Sequence, residues 1–341
     1  MDRTDVDKLI REIGLRQAGG KLGVAALLYT YCCTIACRHC CFGCAGSRPR
    51  VWMATDKAVE HLRQLHELGR VIHIAGGECM MFWPQLQEVL TRSAQAGVQP
   101  QFLESNCSFA VSDELTRERF EFIRNCGVAG MLFSSDCFHQ AFVPPESFLR
   151  ARRIAGEIFG PANLWCSDEP EADIRRHAEV ARDEALLRER VSRHPPKFVG
   201  SAQREFAAWL PQYPPDEVPP GSGWRFTHEG WPCMAEFEAR GIWEIHIDPY
   251  DNMQTNCGVI LGNASRTPVS EMMRAGPENA NFVVSILARE GALSLARFAR
   301  DRHGFAMPER VASKCDLCFR ARSFLRSFYP DILGPAEVYD P

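Results

Sequence analysis

The sequence predicts an α/β protein: a parallel, barrel-like sheet of six βα units, followed by a small C-terminal domain built from a β-hairpin and helices. Three observations carry this. Apolar runs of strand length alternate with helix-length segments through the first two thirds of the chain. Cysteine-bearing and polar loops fall at the strand ends, where such sheets place their chemistry. The stretch Pro211-Gln-Tyr-Pro-Pro to Pro219-Pro-Gly-Ser-Gly223 then interrupts regular structure. With 341 residues, 45% apolar and 24% charged, the chain can bury one large core and carry an appendage.

Taken in order, residues 6–18 read as a short amphipathic helix, making 1–22 an N-terminal helical segment. Gly23-Val-Ala-Ala-Leu-Leu-Tyr-Thr30 is the continuous apolar run of a buried parallel strand. Helices are expected at Thr55–Leu68, Pro84–Ala96, Ser112–Cys126 and Pro145–Phe159, and one long charged helix at Glu171–Arg193. Strands are expected between them at Val71–Ala75, Gln101–Glu104, Ala129–Phe133, Asn163–Trp165 and Lys197–Val199. These elements assign 23–210 to the core barrel and 211–230 to a linker. Beyond it, Trp243–Ile247 and Met253–Leu261 form a hairpin about the turn Asp248–Asn252, with helices near 269–274 and 283–300. The small domain then covers 231–320 and a tail 321–341.

A formal net charge of −4 without a run of Lys or Arg argues against nucleic acid and anionic lipid as partners and favours a small-molecule or peptide substrate. No apolar stretch reaches membrane-spanning length, and Met1-Asp-Arg-Thr-Asp lacks the basic start of a signal peptide, so a cytoplasmic protein is expected. Fifteen cysteines in such a chain point to metal or redox chemistry rather than disulfides. Six lie between Cys32 and Cys44, four are Cys233, Cys257, Cys315 and Cys318, and five are scattered. Two groups imply two metal sites.

Cys33-Thr-Ile-Ala-Cys37-Arg-His-Cys40 follows the first strand directly with the spacing C-x3-C-x2-C. It resembles the motif of the radical S-adenosylmethionine (radical SAM) superfamily, including a ring residue, His39, before the third cysteine. The resemblance implies a [4Fe-4S] cluster on Cys33, Cys37 and Cys40 whose open iron chelates SAM and cleaves it to a 5'-deoxyadenosyl radical. Cys32, Cys41 and Cys44 permit other registers, such as Cys37, Cys40 and Cys44, but the strand-first position favours Cys33. A zinc site would also suit clustered thiolates. Against zinc stands Ala75-Gly76-Gly77-Glu78 after the second strand, in the place of the family's Gly-Gly-Glu motif for the methionine amino group. Glycines let backbone approach closely, and a carboxylate pairs with an ammonium.

Other strand ends, Ser105-Asn106, Ser134-Ser135-Asp136 and Cys166-Ser167-Asp168, are candidates for ribose and methionine carboxylate contacts. Helix N-capping is the competing explanation and accounts well for Ser112 and Ser167. His139 is a candidate proton acceptor or substrate contact, and equally a plain surface histidine. Cys79, Cys107, Cys137 and Cys166, just past strand ends, are candidate hydrogen-atom donors, whereas Cys126 reads as core.

The second group, a lone Cys233, then Cys257, then Cys315-x2-Cys318 before a basic helix, resembles the twitch domain, a shortened SPASM auxiliary-cluster domain, over residues 230–320. That resemblance implies a second [4Fe-4S] cluster closed by four cysteines; a zinc knuckle is the alternative. Its role stays open among accepting an electron, relaying electrons and stapling the domain. The whole arrangement is similar to radical SAM dehydrogenases and epimerases of aminoglycoside assembly. This implies attack on a secondary alcohol of a sugar or aminocyclitol-type metabolite, with a flavodoxin or ferredoxin-type reductant. The second reading is a maturase of ribosomally made peptides, which the short stretch of about 20 residues before the first strand disfavours. A third is a non-catalytic metal-bound scaffold.

Overall fold

The computed structural model describes residues 23–165, 169–219, 244–255 and 257–340. The expected helix at 6–18, Cys166-Ser167-Asp168 and Cys233 lie outside them. The chain forms two units: Met1–Cys37 with Cys44–Leu187 and His246–Tyr250, and Arg38–Gly43 with Arg188–Ile245 and Asp251–Pro341.

The first unit alternates strands and helices as expected: β1 (Val24–Leu28), α1 (Thr55–Glu67), β2 (Val71–Ala75), α2 (Trp83–Gln95), β3 (Phe102–Ser105), α3 (Asp113–Asn125), β4 (Gly130–Phe133), α4 (Cys137–Gln140), α5 (Pro145–Phe159), β5 (Leu164–Trp165) and α6 (Glu171–Arg182). The strands are parallel in the order β5-β4-β3-β2-β1. Register aligns Leu28 with Ala75 and Ser105 with Phe133, so the loops that follow these strands leave from one edge. β1 is buried along its length, which explains its unbroken apolar run.

The two sheet faces differ. Phe133 packs on Phe120 of α3 and Phe148 of α5, so it belongs to the helix-covered face. Alternation along parallel strands then puts Leu132, Glu104, Phe102, His73 and Trp165 on the opposite face.

Several expected elements are corrected. The long helix Glu171–Arg193 breaks into α6 and α7 (Glu184–Arg193), because extended Asp183 turns its carboxylate onto the N–H groups of Ala185 and Leu186, at 2.8 and 3.1 Å. Lys197-Phe-Val199 is not a strand. Pro195 and Pro196 lack donors, and Gly200, at φ 60, presses against the carbonyls of Cys40 and Cys41. Cys137 and His139, expected on a loop, lie in the one-turn helix α4, capped by Asp136.

The second unit holds α8 (Ser201–Phe206) and, after the described part of β6 (Glu244–Ile247), whose last two residues belong to the first unit, β7 (Asn252–Thr255) and β8 (Ile260–Asn263). The expected return strand Met253–Leu261 is therefore two strands. Gly258, at φ 74, turns the chain so that β7 and β8 pair antiparallel. The expected helix 283–300 is α10 (Phe282–Arg289) and α11 (Ala292–His303), parted at Gly291 with φ 87; α9 (Val269–Ala275) precedes them. α12 (Lys314–Leu325) carries Cys315 and Cys318, and the chain ends in α13 (Ala336–Tyr339), whose last three residues are buried.

Candidate cofactor site

The loop after β1 is folded back on itself before its cysteines begin. Thr30 Oγ1 donates to Val51 O at 2.6 Å and accepts Cys32 N–H at 2.9 Å, and Cys33 N–H reaches Ala45 O at 3.1 Å. Cys33 and Cys37 are buried. Cys40, half-buried, belongs to the second unit, where its carbonyl accepts Ser201 N–H at 2.9 Å.

The Gly-Gly-Glu loop lies directly on this segment. A Cβ at Gly77 would stand 1.9 Å from Cys32 O, and one at Gly76, where φ is +125, would stand 2.6 Å from Thr30 O. The glycines are needed because two backbones touch, with Gly77 N–H donating to Thr30 O at 2.7 Å and Glu78 N–H to Cys32 O at 3.2 Å.

Glu78 is 1% exposed and held from three sides. Its carboxylate accepts Met80 N–H at 3.1 Å, Asn106 N–H at 2.9 Å and the Ser105 hydroxyl, at 3.0 and 3.1 Å from its two oxygens. Burial pushes its pKa above the usual carboxylate value, against the pull of those donors and Arg119. A carboxylate has about four acceptor positions, and three donors leave one for an ammonium group. The site residues thus fit the methionine end of SAM. Asn106 links this cradle to the cysteines: its Nδ2 donates to Thr34 Oγ1 at 3.1 Å and lies 3.5 Å from Cys33 Sγ.

The remaining expected residues are placed less simply. Ser134 N–H donates to Ser105 O at 3.1 Å, a continuation of the β3–β4 pairing. Asp136 caps α4 and its Oδ1 lies 2.9 Å from His139 Nδ1. Burial opposes a charged His139, yet Asp136 and Cys37 beside it carry its pKa well above the usual imidazole value. His139 therefore stands next to a cysteine expected to bind iron. His39 is half-buried in the second unit. Cys79, Cys107 and Cys137 are buried; Cys79 Sγ lies 3.3 Å from Glu104 O, and Cys107 adopts φ 65.

One pair was missed by the sequence reading. His73 Nδ1 lies 2.8 Å from Glu104 Oε1 on the sheet face away from α3 and α5, with the His73 ring stacked on Phe102. The Glu104 side chain keeps one third of its surface exposed. A histidine between isoleucines in Val71-Ile-His-Ile-Ala75 was the available signal.

In the second unit Cys257 and Cys318 lie beside a buried cation, and Cys315 is one turn before Cys318 on the same helix. Arg322, 1% exposed, donates from Nη1 to Cys257 O at 3.1 Å and to the Tyr339 hydroxyl at 3.2 Å, and it also bonds the Cys318 side chain. Thr255 Oγ1 lies 3.0 Å from Cys257 Sγ. Tyr339, stacked on Phe319 at 5.4 Å, comes from the segment expected to be a tail. A buried guanidinium facing sulfur fits thiolates that carry charge, as metal-bound cysteines do. Among the described residues the three sulfurs do not gather within 4.8 Å, as ligands of one tetrahedral ion would.

The fold and this site define an α/β cofactor-binding domain whose thiol-rich loop and Gly-Gly-Glu loop meet at the strand ends. Residues 27–157 match the family model described as the Radical SAM superfamily, and the chain accordingly carries a radical SAM domain. No curated protein matches the sequence. Among solved structures the chain is similar to BtrN in complex with AdoMet and 2-DOIA, at 12% identity over 80% of this chain and 89% of that one, with a TM-score of 0.45. It is also similar to Streptococcus suis SuiB bound to the precursor peptide SuiA, at 12% identity over 84% and 68% of the two chains, TM-score 0.32. No helix among the described residues is long and apolar enough to cross a membrane.

Proposed function

We propose that this protein is a radical SAM oxidoreductase that removes hydrogen from a secondary alcohol carbon of a sugar or aminocyclitol-type small molecule and oxidises it to a ketone. The observation that carries the reading is the Glu78 cradle, joined to Cys33 through Asn106. Cys33, Cys37 and Cys40 would hold the first cluster; Cys257, Cys315 and Cys318, with Cys233, the second. When bound, the first cluster and SAM supply the radical that takes the hydrogen atom, fed by a flavodoxin or ferredoxin-type reductant.

The protein's own residues have separate tasks. Glu78 receives the ammonium of SAM, while Ser105 and the Asn106 and Met80 N–H groups keep its carboxylate in place. His139, between Asp136 and Cys37, orients a cysteine ligand. Glu104, partly exposed and with its Oε1 2.8 Å from His73 Nδ1, takes the hydroxyl proton as the carbon is oxidised. This supports oxidation over epimerisation, because the described strand-end thiols are buried whereas a proton acceptor is presented.

The test is anaerobic incubation of reconstituted protein with dithionite and SAM, first alone and then with a panel of aminocyclitols, sugars and short peptides. Formation of 5'-deoxyadenosine, raised by aminocyclitols with ketone formed in equal amount, is expected. Stimulation by peptides alone would transfer the assignment to peptide maturation. Absence of 5'-deoxyadenosine would leave a metal-bound scaffold.

A further inference from the structure

Arg322 stands on α12 one turn beyond Cys318 and two turns beyond Cys315, so its guanidinium lies over the cysteine-bearing end of the helix. Burying a guanidinium costs several kcal/mol unless negative charge offsets it. Among the described residues, none of the groups that bond Arg322 is a carboxylate: they are Cys257 O, the Tyr339 hydroxyl and the Cys318 side chain. Its Nε is buried and has no hydrogen-bond partner among the described residues. The rings of Phe319 and Tyr339, stacked on each other, lie 5.5 and 5.7 Å from the buried guanidinium. A fixed donor with an unspent N–H, beside two cysteines and bonded to no carboxylate among the described residues, suits an anion made of sulfur.

We propose that Arg322 is the built-in counter-cation of the second cluster: its Nη1 fixes the Cys257 carbonyl, its Nε donates to cluster sulfur, and its charge raises the cluster's reduction potential. The inference rests on the two-cluster reading above. Hydrogen bonds to sulfur and nearby positive charge favour the reduced, more negative state of an iron-sulfur cluster. A raised potential makes the second cluster an acceptor for the electron left when a carbinol radical becomes a ketone. A cluster held there would take up that one electron per substrate oxidised, and Glu104 would take the accompanying proton. Tyr339 is a positioning residue, its hydroxyl accepting from the same Nη1 that donates to Cys257 O.

The test uses full-length protein with Cys33, Cys37 and Cys40 all changed to alanine, so that only the second cluster is reconstituted. Iron per chain and an EPR-monitored redox titration are measured in that background and with Arg322→Gln, Arg322→Lys or Tyr339→Phe added. The expected results are about four irons in the background protein, a midpoint potential shifted negative in the Gln variant, and a smaller negative shift in the Lys variant, which keeps the charge but not the planar fork. An unchanged potential in an iron-loaded Gln variant overturns the inference while leaving the two-cluster reading intact. A background protein without iron overturns the two-cluster reading itself. If the Gln variant holds no iron, the Lys variant decides: iron retained with a negative shift supports the role, and iron retained with no shift refutes it. Iron lost from the Lys variant as well transfers the decision to Tyr339→Phe, in which an unshifted potential refutes the role.

Discussion

Asn106 serves Glu78 and Cys33 at once: its backbone N–H donates to the Glu78 carboxylate at 2.9 Å, and its side-chain amide lies 3.5 Å from Cys33 Sγ. The Glu78 carboxylate and the cysteine loop are therefore coupled through one residue at the end of β3. Replacing Asn106 by alanine keeps the backbone donor and removes the amide. We expect Asn106→Ala to bind SAM within a few-fold of the parent while its first cluster loses iron faster on exposure to a chelator; SAM titration and iron-release kinetics separate the two effects.

Glu78→Gln loses the charge that an ammonium requires and places an amide against the N–H groups of Asn106 and Met80. A hydrogen bond to a charged group contributes about 1.5–3 kcal/mol, so SAM affinity should fall roughly 10- to 100-fold. The pH dependence has a definite sign. Burial raises the Glu78 pKa, so the carboxylate takes up its proton at a higher pH than an ordinary glutamate. SAM affinity in the parent should weaken as pH falls through that raised value, and the Gln variant should be flat over the same range. Anaerobic calorimetry at several pH values checks both.

Gly77→Ala tests the contact between the two loops. The added methyl would meet Cys32 backbone, which cannot swing aside as a flexible side chain can. A loss of about 3 kcal/mol, the upper part of the overpacking range, is expected, together with poor loading of the first cluster. Thermal unfolding and iron content measure it.

Much of this was legible in the sequence. β2 and α5 occupy the ranges read from apolar periodicity, and the cysteine and Gly-Gly-Glu loops leave adjacent strand ends as expected. What failed were places where one residue overrides a period: Asp183 caps its own chain inside a helix-like run, and Gly291 breaks another. Tertiary partnerships such as Arg322 with Cys257, or His73 with Glu104, were hidden for a different reason. They join residues that no periodicity connects.

Alanine replacements should fix the cluster register. Single Cys33, Cys37 or Cys40 variants are expected to abolish 5'-deoxyadenosine formation, and Cys32, Cys41 or Cys44 variants to retain it. Loss in Cys44→Ala with normal activity in Cys33→Ala would move the ligand set one register along. Parent protein should hold about eight irons, and joint replacement of Cys233, Cys257, Cys315 and Cys318 should halve that number.

On the chemistry proposed above, the end of the substrate radical can be tested at the thiols and at Glu104. Cys79, Cys107 and Cys137 are exposed by 1%, 0% and 1%, and burial, with the Glu78 and Glu104 charges, pushes the Cys79 thiol well above its usual pKa. A thiol that returns a hydrogen atom must reach the substrate carbon, and the Glu104 side chain keeps more exposed surface than any of these three. Glu104 keeps a third of its side-chain surface exposed, and its Oε1 lies 2.8 Å from His73 Nδ1. Glu104→Gln should therefore still cleave SAM while ketone formation drops about 10²- to 10⁴-fold, the usual worth of a general base. In deuterated water the parent enzyme should place no label on the reacting carbon, and alanine at Cys79, Cys107, Cys137 or Cys166 should leave turnover within a few-fold. Deuterium at that carbon, with turnover lost in one of the four cysteine variants, would identify the donor thiol and make the enzyme an epimerase.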